Sequence, residues 1–164
     1  RMGLLMAKNN WASRYVLVTD SRVAELHGDR VLATLRGMNL AVDMIQFPAG
    51  EASKTVRTCL DLVERLLALG ADRKSALIAL GGGVVGDLTG LAASLFMRGI
   101  PYLQAPTTLL AQVDSAIGGK TGVNLPAAKN MLGTFHQPRG VFLDLAFLDT
   151  LPEREFANGR AEIF

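Results

Sequence analysis

The sequence is poor in the residues that build disulfides and metal sites: among 164 residues it has one cysteine, Cys59, and two histidines, His27 and His136. One cysteine excludes an internal disulfide and fits a reducing cytosol. Cys59 sits among Val56, Leu60 and Val63 at helical spacing, so it reads as core. Two histidines without a cysteine pair are too few for a self-contained metal centre. Aromatics are scarce as well, 6% against 49% hydrophobic residues, which suits an Ala/Leu/Val/Gly-rich α/β protein better than a β-sandwich. Neither sign of charge dominates. A net charge of +2 gives no reason to expect nucleic acid or an anionic membrane as a partner. Long apolar runs are also missing: Asp87 and its neighbouring glycines interrupt the longest, so no bilayer span is expected. The opening Arg1-Met2-Gly3-Leu4-Leu5-Met6 is too short, and too soon polar, for a signal peptide. The length fits one domain with a real core.

Glycine, by contrast, is concentrated where it has consequences. The apolar run Ala76-Leu77-Ile78-Ala79-Leu80 leads into Gly81-Gly82-Gly83-Val84-Val85-Gly86-Asp87, and a helix-compatible run, Leu88 to Met97, leaves it. The order is strand, glycine loop, helix. Gly81, Gly83 and Gly86 fit the spacing G-x-G-x-x-G, which lets a backbone approach a pyrophosphate at a helix N-terminus. A Cβ there would hold a phosphate off the amides and resist positive φ. A tight packed turn can use the same glycines. The ordinary dinucleotide fingerprint also follows the first strand and has an acid roughly 20 residues later; here the next strand ends Gln104-Ala105-Pro106. A nucleotide site here is not an ordinary Rossmann one.

Strands are expected at Tyr15–Thr19, Ala41–Phe47, Ala76–Leu80, Pro101–Ala105 and Val141–Asp144. Between them, Asp20-Ser21 caps a helix through Val23, Leu26, Val31, Leu32 and Leu35 that stops near Gly37. A second helix has the face Val56, Leu60, Val63, Leu66 and Leu67 and stops at Gly70. Thr107-Thr108 caps a helix from Leu109 to Ile117, Gly118-Gly119 breaks it, and Pro126 opens another through Lys129-Asn130. Pro152 to Phe164 is helix-compatible. Alternating strands and helices imply a mainly parallel, Rossmann-like sheet with helices on both faces. Ligands bind such sheets at the strands' carboxyl ends. Asp20, Glu51 with Lys54, the glycine loop and Thr107-Thr108 all follow strands. Lys120, Lys129 beside Asn130, and Arg98 are either solvated surface charges or the cations of a phosphate or carboxylate pocket.

The linked motifs resemble dehydroquinate synthase: Gly81 through Gly90, Met97-Arg98-Gly99, Pro106 through Leu110, Val113-Asp114-Ser115, Gly118 through Thr121, Lys129-Asn130, Gln137-Pro138 and Gly159-Arg160-Ala161-Glu162. The match runs in order from about Tyr15 to the end. The resemblance implies the N-terminal half of that fold, an NAD-binding α/β domain over 1–159, with 160–164 opening a helical metal-binding domain. It implies a phosphorus–oxygen lyase of the shikimate pathway, working as a homodimer on a seven-carbon keto-sugar acid phosphate with NAD and a divalent metal, zinc or cobalt. Cofactor contacts implied are Asp20, Ala49, Gly50, Glu51, Ala52, Ser53, Lys54, Gly83, Val84, Val85, Gly86, Asp87, Thr107, Thr108, Lys120, Lys129, Phe147, Leu148, Asp149 and Thr150. Asp114, Lys120, Lys129 and Asn130 fall at substrate positions, Arg98 at one reaching substrate phosphate across a dimer interface, and Glu162 at a metal ligand. Neither His27 nor His136 falls at a ligand position of the family. A related sugar-phosphate cyclase, a metal-dependent alcohol dehydrogenase and a stand-alone NAD-binding module are the alternatives.

Overall fold

The structure is a computed structural model and describes residues 2–163. In chain order it contains α1 (Met2–Asn9), β1 (Arg14–Asp20), α2 (Ser21–Val23), a π-helical turn (Ala24–Gly28) and α3 (Asp29–Arg36). Then come β2 (Val42–Phe47), α4 (Val56–Ala68), β3 (Ser75–Gly81), α5 (Gly83–Leu95) and β4 (Tyr102–Pro106). A π-helical turn (Ala111–Ser115), β5 (Lys120–Leu125), β6 (Ala128–Phe135), β7 (Gly140–Val141), a 3-10 segment (Leu145–Thr150) and α6 (Glu153–Ala161) follow, and short 3-10 turns lie at Glu51–Ser53 and Phe96–Arg98.

Five strands form one sheet in the order β2-β1-β3-β4-β7, every neighbouring pair parallel. The alternation of side chains across a strand divides the core in two. Val16, Val18, Leu77 and Ala79 point to the face covered by α4 and α5, where they join Leu62, Leu66, Val85 and Leu88. Tyr15, Leu17, Ile78 and Leu80 point to the other, with Met6 of α1 and Val31 and Leu35 of α3. Central β3 is buried along its whole length, which is why its apolar run shows no polar alternation. Helices on both faces of a parallel sheet are thus what the sequence led one to expect. Cys59 is in the core, and burial pushes its thiol up to about 11, too high for a reactive thiolate. Among the described residues, no helix is long and apolar enough to cross a membrane.

The structure departs from sequence expectation in five places. Helix α4 buries Cys59, Leu62 and Leu66 and leaves Val56, Leu60 and Leu67 exposed, so its core stripe is rotated from the expected one. Leu26 in the second helical region is likewise exposed. Helix α5 starts at Gly83, so Val84 to Asp87 form its first turn rather than a loop. The fifth strand has only two residues, Gly140–Val141. No helix follows Pro126: β5 and β6 form an antiparallel hairpin, with Leu125 opposite Ala128 across the turn. Two glycines permit it. Gly122 and Gly133 face each other, and a Cβ on Gly133 would meet the Thr121 carbonyl. The hairpin packs on α5 at Gly90, where a Cβ would come within 2.5 Å of Thr121 Cγ2. Phe164, in the expected final helix, lies outside the described residues.

Candidate functional site

With all five strands parallel, their carboxyl ends share one edge. Asp20, the loop 48–54, Gly81 to Gly83 and Thr107-Thr108 all emerge there. Asp20 caps the following helix through Oδ1, which accepts from the Val23 N–H at 2.8 Å. Thr108 caps the next helical region, its Oγ1 accepting from the Ala111 N–H at 3.2 Å. Both capping expectations hold.

None of Gly81, Gly82, Gly83 and Gly86 takes a positive φ, so relief of backbone strain is not their reason. Space is. A Cβ on Gly81 would strike Val85, and one on Gly86 would lie 2.9 Å from Gln104 Oε1. Those two glycines serve packing. At Gly83 a Cβ would meet only Ser115, at an ordinary 3.4 Å, so packing does not demand glycine there. No side chain caps α5 at Gly82. Its first N–H groups are therefore open donors at the positive end of the helix dipole.

Beside this helix start lies a cleft of about 480 Å³, lined by Asp87, Asp114, Ser115, Lys120, Asn130 and Thr134 with their neighbours. Lys54, buried in the loop after β2, forms an ion pair with Asp87 Oδ2 at 2.6 Å and donates to Asn130 Oδ1 at 2.6 Å. Burial holds the Asp87 carboxyl above the usual carboxylate range; Lys54 pulls it down, while Glu51 and Asp114 push it up. Asn130 has φ 57, a left-handed conformation that asparagine tolerates better than most residues. A larger cavity, about 790 Å³, lies on the opposite face between α1, α3 and residues 141–147. Of the expected site residues it contains only Phe147. The smaller cleft has the convergent polar groups that a polar ligand requires.

The structure does not bring every expected residue into this cleft. Lys120 lines it, but Lys129 stands exposed on β6, outside the lining. The expectation of a helix carrying Lys129 fails because the hairpin replaces that helix. Arg98 follows the end of α5, which extends about 12 Å beyond Asp87. Met97 and Arg98 have φ of 49 and 69, a strained pair, and Gly99 follows with φ 118. Phe147 to Thr150 form most of the 3-10 segment, anchored by the Asp144 cap on the Ala146 N–H. Gly50 requires its glycine, with φ 111, and Ser53 Oγ donates to the Pro48 carbonyl, so the turn containing Ala49 and Ala52 is held by local bonds. Glu162 is exposed after α6. Among the described residues no three His, Cys, Asp or Glu side chains group around a metal-sized site. Both histidines are engaged elsewhere: His136 Nε2 with the Ile100 carbonyl, His27 Nε2 with Thr150 Oγ1. One carboxylate does not fit a catalytic metal, which usually takes three protein ligands.

Sequence reasoning missed His27 as a buried support of the 145–150 segment. It stacks edge-on against Phe147 and bonds Thr150 at 2.8 Å. Burial lowers its proton affinity, and Arg30 adds to this. A base with depressed affinity stays neutral in the fold while the unfolded chain protonates below about pH 6.5. Stability is therefore fully present above that pH and declines as pH falls. Between pH 7 and 5 the wild-type Tm should drop more than that of His27→Gln; equal slopes would assign the loss to other groups.

A parallel sheet with helices on both faces, an uncapped helix start at a glycine turn and a polar cleft at the carboxyl edge define a Rossmann-like α/β domain. Residues 44–158 match the 3-dehydroquinate synthase N-terminal family, and the chain belongs to that family. It is 50% identical over 164 residues to the 3-dehydroquinate synthase of Laribacter hongkongensis, covering 100% of this chain and 45% of that relative. The chain thus spans less than half of that relative's length. Among solved structures, 2-epi-5-epi-valiolone synthase from Streptomyces hygroscopicus, with NAD+ and Zn2+ bound, superposes with TM-score 0.90 at 38% identity, over 99% of this chain and 46% of that one. A 2-deoxy-scyllo-inosose synthase complexed with carbaglucose-6-phosphate, NAD+ and Co2+ gives 0.87 at 37% identity, over 94% and 42%.

Proposed function

We propose that this chain is the NAD-binding half, residues 1–159, of a 3-dehydroquinate synthase, with 160–164 leading into a metal-binding half. The reaction is conversion of 3-deoxy-D-arabino-heptulosonate 7-phosphate to 3-dehydroquinate and phosphate, in the shikimate pathway and in the cytoplasm. The observation that carries the reading is the convergence of Asp87, Asp114, Lys120 and Asn130 on one cleft beside the open helix start at Gly83. A pyrophosphate fits the uncapped N–H groups at Gly82 to Val84. Glu51 and Lys54 on one side, Thr107-Thr108 and Phe147 to Thr150 on the other, would hold the remainder of the dinucleotide. When bound, NAD supplies a hydride acceptor, and oxidation of a substrate hydroxyl to a ketone acidifies the neighbouring C–H so that phosphate can leave.

This chain's residues bind and orient. Lys120 presents a cation to an anionic substrate group, and Asp114 and Asn130 offer a carboxylate and an amide to hydroxyls. Arg98 contributes to a partner's phosphate site in a homodimer, because its own cleft is too far along α5. Glu162 alone does not hold a metal; it would be this chain's one contribution to a divalent metal, zinc or cobalt, whose other ligands lie outside these residues. Identity of 50% to a dehydroquinate synthase, against 37–38% to the other cyclases, favours the carboxylated seven-carbon substrate over theirs.

In the full-length enzyme, NAD-dependent phosphate release from this substrate tests the reading. Lys120→Ala should lower kcat/KM at least roughly tenfold, about 1.4 kcal/mol of transition-state binding, with Tm nearly unchanged. Full kcat/KM in that variant would return Lys120 to the solvated surface.

A further inference from the structure

The cleft wall contains a ring of hydrogen bonds centred on Asn124, a residue outside every set of contacts described so far. Its backbone N–H donates to the Lys54 carbonyl at 2.8 Å. Its side-chain Nδ2 donates to Glu51 Oε1 at 2.7 Å, and its Oδ1 accepts from the Asn130 N–H at 3.0 Å. Lys54 Nζ closes the ring on Asn130 Oδ1 at 2.6 Å. Two segments far apart in sequence, the loop after β2 and the β5–β6 hairpin, are joined by the Asn124 bonds together with the Lys54–Asn130 bond.

The hairpin is irregular at this position. Its register shifts between Val123 and Leu125, and a bulge re-aims the side chain that it releases from regular pairing. Asn124 instead forms an isolated parallel bridge with Thr55. Asn130 takes a left-handed φ, and the Asn124 Oδ1 bond to its backbone N–H ties down the backbone that carries its side-chain amide. That amide in turn orients the Lys54 ammonium toward Asp87.

We propose that Asn124 is a positioning residue: through Asn130 it sets the Lys54 ammonium and the Asn130 amide within the cleft, and through Nδ2 it sets Glu51. The assignment rests on the proposed function of the cleft. Asn124 acts on reacting groups only through these neighbours. Its side-chain bonds lie at the surface, where each contributes little to stability, whereas a shift of about 1 Å in an orienting group can cost on the order of a hundredfold in rate. Stability and turnover should therefore separate.

The test uses the full-length enzyme and measures NAD affinity, kcat/KM for the seven-carbon phosphate and Tm. Asn124→Ala should weaken NAD binding and lower kcat/KM together, the latter about tenfold, while Tm stays within about 2 °C of wild type. In an Asn130→Ala background, Asn124→Ala should cost less than about twofold further, because residues acting through one group are not additive. Unchanged NAD affinity and kcat/KM in Asn124→Ala would overturn the assignment while leaving the function of the cleft standing. So would a loss that tracks a fall in Tm of several degrees and adds fully to that of Asn130→Ala. A wild-type enzyme without NAD-dependent turnover would overturn the function of the cleft, and this role with it.

Discussion

Asp87→Ala is expected to destabilise the fold by about 3 kcal/mol, the low end of the range for breaking a buried ion pair by removing one partner. Lys54 has little access to water, with its side chain 8% exposed, and Asp87 is its only counter-ion among the described residues. Without the carboxylate, the ammonium retains the Asn130 amide oxygen, which offers a dipole but no charge. Partial exposure of Asp87, 20%, argues for the low end. For a chain of this size the loss corresponds to a fall in Tm of roughly 6–12 °C, measurable by calorimetry. Joint replacement, Lys54→Met with Asp87→Leu, should recover much of that stability, because apolar pairs often substitute for buried ion pairs without loss. The same double variant should bind no NAD. A Tm within about 2 °C of wild type for Asp87→Ala would show that water already screens the pair.

Gly83→Val should abolish measurable NAD binding, a loss of at least about a hundredfold or 2.7 kcal/mol, and leave a folded protein. Neighbouring glycines differ in what surrounds them. At Gly81 and Gly86 an added Cβ runs into Val85 and Gln104, so alanine there should lower Tm with or without ligand. At Gly83 the nearest heavy atom to a built Cβ is Ser115 Oγ at 3.4 Å, which the fold accommodates. A valine would stand over the open N–H groups of the first turn of α5 and hold a pyrophosphate off them. Isothermal calorimetry with NAD, beside a thermal melt, separates the outcomes. Undiminished NAD affinity in Gly83→Val would mean that the glycine turn has no part in phosphate binding.

Local sequence pattern specifies the sheet and the edge at which its strand-to-helix junctions emerge. Apolar runs such as Ala76–Leu80, separated by helical segments with capping residues at Asp20 and Thr108, admit a parallel sheet and little else. Parallel strands in turn place every strand-to-helix junction on one side. These signals are local: they depend on residues within one turn or one strand. Tertiary structure decided what depends on distant partners. The segment after Pro126 reads as a helix by its start signal, yet it pairs with β5 because Gly122 and Gly133 allow two backbones to approach and Gly90 lets the hairpin seat on α5. Pattern along one strand contains no record of that opposing glycine. The buried stripe of α4 shifted to Cys59, Leu62 and Leu66 for the same reason, since the sheet beneath, not the helix, selects which face is covered. Lys54 was legible as a charged residue after a strand. Its pairing with Asp87 and Asn130, and the closure of that pair through Asn124, exist only once the loop after β2 meets the hairpin across 76 residues of chain.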